Sequence, residues 1–84
     1  MTKKRDTMTY DLKRGRKVVY KGTTNNPEVR EQQHRDQGKQ FNRLLVTSHR
    51  MTPDGAKAKE EMHLEQYRQT HRGRNPTYNK DSDG

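Results

Sequence analysis

Arg30 and His34 stand four positions apart in a stretch with helical signals, so their side chains share one helix face. The pair offers no mutual stabilisation and repels when His34 is charged, which points to an anion between them. Glu60 falls on the stripe formed by Ala56, Glu60, Leu64 and Tyr67, spaced four, four and three apart. An unpaired carboxylate on an apolar stripe is costly in a chain with so little core, so a metal ion or other cation is expected there. Upstream lie Tyr10 and Tyr20, ten positions apart, then Gly22; downstream lies Tyr78-Asn79. In this order the residues point to a site that cuts nucleic acid. Singly, each has a plainer reading: a strand tyrosine is most often core with its hydroxyl wet, and a helix Arg or Glu is most often solvated.

The elements that must position these residues are marked by local signals. Met8, Tyr10 and Leu12 alternate with Thr9, Asp11 and Lys13, while Val18-Val19-Tyr20 is β-branched and aromatic, so both read as strands around Arg14-Gly15-Arg16. A three-residue loop pairs Lys13 with Lys17 and sets Tyr10 opposite Tyr20, with both phenols on one face. A two-residue loop pairs Tyr10 with Val19 instead and sends Tyr20 to the other face. Asn26-Pro27-Glu28 is a cap, a first-turn proline and an acid, closed by Gly38, which predicts a helix over 27–37. Its one large aliphatic is Val29, so tertiary contacts must hold it down. Residues 44–47 read as a short third strand, and Thr52-Pro53-Asp54 opens a helix running to about residue 70.

Composition alone suggests something different. Leu, Val and Phe number four, four and one and Ile is absent, about 11% of the 84 residues, where less than about 20% with high net charge usually means disorder. Against disorder stand the strand alternation and the two capping signals. A net charge of +8 implies a polyanionic partner, and nucleic acid suits it better than membrane because no basic amphipathic helix carries bulky apolar anchors. Without cysteine there is no disulfide framework, thiolate metal site or cysteine nucleophile. The longest apolar runs are three residues, which argues against a signal peptide or membrane span and for an intracellular protein, cytoplasmic or nucleoid-associated.

Taken together, Met8-Thr9-Tyr10, Val19-Tyr20-Lys21-Gly22, Arg30, His34, the run Ala56, Glu60, Leu64, and Tyr78-Asn79 resemble the GIY-YIG nuclease domain family. The resemblance spans residues 7–79, leaving a basic arm at 1–6 and a flexible tail at 80–84. Lys21 and Met8-Thr9 depart from the family's tripeptides, while the tyrosines and the second glycine are kept.

The resemblance implies an α+β fold, a small three-stranded antiparallel sheet flanked by helices, that hydrolyses phosphodiesters of DNA, with RNA not excluded, using one Mg2+ (or Mn2+). It gives Tyr10 the role of base toward water, with Tyr20 as its positioning or alternate partner. Arg30 becomes the clamp on the phosphorane and Glu60 the metal ligand, and His34 and Asn79 orient these groups and the phosphate. The chemistry fits these types: a carboxylate is a hard ligand, and the guanidinium fork matches phosphate oxygens. A phenol of pKa about 10 must be acidified to act as a base near neutrality. The hairpin cations Lys13, Lys17 and Lys21 are candidates for that task and, with Arg14 and Arg16, for contacting phosphates. A second subunit or homodimer could supply specificity. The alternative is a binding module that keeps the fold without turnover.

Overall fold

A computed structural model describes residues 5–79. The expected arm at 1–6 therefore lies largely, and the expected tail at 80–84 wholly, outside the described residues. Two strands, β1 (Met8–Arg14) and β2 (Lys17–Thr24), form the expected hairpin, but its register is neither of those predicted. Gly15, with φ +64°, takes the first position of a two-residue turn closed by Arg14 opposite Lys17. Lys13 then faces Val18 and Leu12 faces Tyr20, so Val19 is an extra residue, a β-bulge. Without it this turn would set Tyr10 against Lys21 and rotate Tyr20 to the opposite face. The bulge restores the parity. Tyr10 pairs with Gly22 rather than with Tyr20, yet both phenols project from one face, ring centroids 5.9 Å apart.

The third strand, β3 (Arg43–Val46), lies antiparallel against β1, giving the order β2-β1-β3. Central β1 is buried from Met8 to Leu12, as expected of a strand paired on both edges. Tyr10, Leu12, Val19 and Phe41 form the core, with Tyr20, Leu44 and Tyr78 packed against it.

Helix α1 (Pro27–Asp36) starts as its signals predict, the Asn26 side chain accepting from the Val29 amide at 3.3 Å. It ends with Gln37 as its cap and Gly38 at φ +83°. Val29 is half exposed and contributes little; polar and aromatic anchors hold the helix instead. Glu31 accepts from the Leu44 amide at 3.1 Å, Arg35 lies 4.5 Å over the Phe41 ring, and His34 is buried against the tyrosines.

Helix α2 (Pro53–Thr70) is capped by Thr52, which accepts from Gly55 N at 3.2 Å, and seats Ala56 fully buried beside β1 and β2. Beyond it the chain returns to the outer edge of β2. Tyr78 N donates to Val19 O at 2.7 Å, and the Asn79 amide takes both backbone groups of Lys21, at 2.7 and 2.9 Å. These bonds cover the edge strand that would otherwise offer unpaired backbone groups. Among the described residues no helix is long and apolar enough to cross a membrane.

Candidate active site

The site is built on the face of the hairpin that carries Tyr10 and Tyr20. Tyr10 is 1% exposed and its hydroxyl lies 2.6 Å from His34 Nε2. The His34 ring packs 4.8 Å from that of Tyr20 and edge-on to Phe41. Gly22 makes this packing possible: a Cβ there would sit 2.6 Å from Tyr20 Cε1 and 2.8 Å from the Tyr10 hydroxyl. The glycine is thus required by space, since its φ lies outside the left-handed region.

Electrostatics reverse one expectation. Burial, then the neighbouring Tyr20, raises the Tyr10 phenol well above its ordinary value, and Arg30 opposes this only in part. The expected acidification of Tyr10 by Lys13, Lys17 and Lys21 does not occur. Lys21 points to the other side of the sheet, where its ammonium pairs with Asp11 at 3.1 Å, both side chains nearly buried. Lys39, which nothing in the sequence singled out, lies 5.6 Å from the centre of the Tyr20 ring. Burial, Lys39 and Arg30 together push His34 down to about 4, so the ring is neutral near pH 7.

A neutral His34 can meet Tyr10 in two ways. With the proton on Nε2 the ring donates to the Tyr10 oxygen, which leaves the phenol's hydrogen for Tyr20; a hydrogen bond with Tyr20 is among the causes that raise Tyr10. With the proton on Nδ1, Tyr10 donates to Nε2. In either case Nδ1 is buried without a partner among the described residues.

Arg30 on α1 and Glu60 on α2 both act electrostatically on the Tyr10 phenol. Arg30 is exposed, with no carboxylate partner among the described residues, and is free to meet an anion. The Glu60 side chain is 12% exposed, and burial raises its carboxyl. Lys57, itself mostly exposed, reaches it only at 3.9 Å. Neighbouring Glu61 is exposed, as the predicted helix register requires. A half-desolvated carboxylate with so loose a partner fits a divalent cation. No group of three or more His, Cys, Asp or Glu among the described residues could hold a metal ion, so the remaining ligands would come from phosphate and water.

Asn79 uses its amide oxygen and one amide N–H on the Lys21 backbone, which anchors β2 next to Tyr20 and leaves the second N–H for the expected phosphate contact. Lys21 is paired with Asp11, whereas Arg14, Arg16 and Lys17 are exposed at the hairpin tip and Lys13 is half-buried beside them. The Asp11–Lys21 pair and the roles of Phe41 and Lys39 were missed by sequence reasoning. The one available signal was Asp11 and Lys21, which lie directly opposite once the bulge is known. Comparison with protein-family models, curated proteins and solved structures gives no match.

Proposed function

We propose that the chain is a metal-dependent nuclease of the GIY-YIG type that hydrolyses DNA phosphodiesters. The reading is carried by one observation: the Tyr10–Tyr20–His34 cluster, packed around Gly22, lies within electrostatic reach of both Arg30 and Glu60. Tyr20 is only half-buried, whereas Tyr10 is enclosed, so Tyr20 is the phenol that meets water and substrate. Tyr10, holding its own proton and donating to the Tyr20 oxygen, stabilises negative charge there. Tyr20, once its own phenolic proton has been lost to solvent, takes a proton from the attacking water as the new phosphorus–oxygen bond forms. The bond to the leaving oxygen breaks, and that oxygen is protonated from solvent. Arg30 binds the equatorial oxygens as charge accumulates. Glu60 would hold the divalent ion, which supplies charge neutralisation at the phosphate. His34 fixes the Tyr10 ring and its hydrogen bond.

The raised Tyr10 phenol favours a second reading, a fold kept for nucleic-acid binding without turnover. Nicking of supercoiled plasmid in Mg2+, Mn2+ and EDTA, run beside Arg30→Ala, separates the two. The nuclease gives metal-dependent nicks that Arg30→Ala reduces on the order of 10²-fold or more with binding kept. The binding module gives salt-sensitive binding and no nicks.

A further inference from the structure

At the end of α2, away from the tyrosine cluster, Tyr67 and His71 stack with ring centroids 3.7 Å apart and planes 3° from parallel. His71 is held there by Nδ1, which lies 2.8 Å from Tyr67 O and 2.9 Å from Thr70 Oγ1. The pair lines an open cleft of about 510 Å³ with Lys17, Arg72, Arg74 and Asn75. Among the described residues no carboxylate lines it, and Lys17, Arg72 and Arg74 have no ion-pair partner there. The wall is fixed: Arg68, paired with Glu65, donates to Asn75 at 3.0 Å, and Gly73 N returns to Arg68 O at 2.7 Å. The backbone turns through two left-handed residues, Arg72 (φ 57°) and Gly73 (φ 81°), which lifts both arginines to the cleft.

We infer that this cleft is a second nucleic-acid subsite that takes an unpaired nucleotide, its base stacked on the Tyr67–His71 pair and its phosphates held by Lys17, Arg72 and Arg74. A flat aromatic surface needs the face of a base, and in a duplex those faces are already stacked; three cations around it, without an ion-pair partner among the described residues, match a backbone entering the same groove. Duplex binding would need only the cations. Tyr67 lies seven residues beyond Glu60 on α2, about 10 Å at 1.5 Å per residue, or about three stacked nucleotides. The subsite therefore places an unpaired strand within a few nucleotides of the proposed cutting site. It rests on the nuclease reading for its meaning, since it makes the preferred substrate a duplex with a single-stranded branch or tail.

The test uses the full chain carrying Glu60→Gln, so that DNA stays intact, and a hairpin duplex with or without a single-stranded tail bearing 2-aminopurine. The tailed DNA should bind about tenfold tighter than the blunt form, with 2-aminopurine emission quenched on binding. His71→Ala should remove the gain and the quenching while blunt-duplex affinity stays. Arg74→Ala should lower the salt slope of tailed binding by about one. Both changes are at exposed positions, and circular dichroism checks that the fold is kept. Equal affinity for the two DNAs overturns the subsite, as does a tail gain that survives His71→Ala. Binding of poly-glutamate in place of tailed DNA also overturns it and assigns the cleft to an acidic protein partner. Plasmid nicking by the parent chain separates this outcome from the nuclease reading: nicks without a tail gain sink the subsite alone, and a His71-dependent tail gain without nicks sinks the nuclease alone. Failure to bind either DNA sinks both.

Discussion

The two tyrosines do not have equal chemistry, and the difference follows from burial. Tyr10 is enclosed and keeps its proton, so Tyr10→Phe removes a hydrogen-bonding hydroxyl rather than a base. It leaves His34 Nε2 unpaired in the interior, which should cost about 1–3 kcal/mol in chemical denaturation, with part of the nicking rate retained. Tyr20→Phe should cost more activity and little stability. Kinetics of both variants check this, and a Tyr10→Phe protein that loses more rate than Tyr20→Phe would return the base to Tyr10. His34 allows a separate check. Its folded pKa of about 4 lies below the ordinary 6.5, so between those values the unfolded chain binds a proton that the folded chain does not. Stability from this group is complete above pH 6.5 and is lost as pH falls toward 4. His63, which burial also lowers, adds a loss of the same sign, so a His34→Gln variant should show a shallower, not flat, decline of unfolding free energy over that range. An unchanged slope would mean that the ring is not buried neutral.

At the level of elements, the helices were legible and the hairpin only half so. Asn26-Pro27 and Thr52-Pro53 mark the helix starts because the capping oxygen and the fixed proline φ are local facts. The bulge at Val19 is not local: it forms because Val19 joins Leu12 and Phe41 in the core while Tyr20 keeps the site face, and Phe41 arrives from another part of the chain. The shared face of the tyrosines was therefore expected, but from the wrong register. Likewise the stripe placed Glu60 on the packed face of α2, whereas Lys39 and the clasp of Asn79 depend on where loops end and carry no periodic signal. The clasp predicts its own consequence. Asn79→Ala should lose both bonds to Lys21 and lower stability by about 1–3 kcal/mol, read by denaturant midpoint, because β2 regains an open edge. A silent Asn79→Ala would show that Tyr78 alone holds the C-terminal segment.

The whole molecule combines a small core with a charge of +8, and its exposed cations are divided between regions. Arg14, Arg16 and Lys17 crowd the hairpin tip, Arg72 and Arg74 flank the stacked pair, and Arg30 stands by the tyrosines. Affinity for DNA should accordingly fall steeply with salt while turnover at saturation depends on Arg30 and Glu60. The most direct measurement is nicking of supercoiled plasmid in Mg2+ by the parent chain, Glu60→Gln and Glu61→Gln, with DNA binding measured alongside. Glu60 is 12% exposed at the site and Glu61 is exposed beside it, so the neighbour serves as an internal control. The account predicts that Glu60→Gln abolishes nicking, with binding kept within a few fold, and that Glu61→Gln nicks like the parent. Nicking that survives Glu60→Gln, or is lost only with Glu61→Gln, would contradict it.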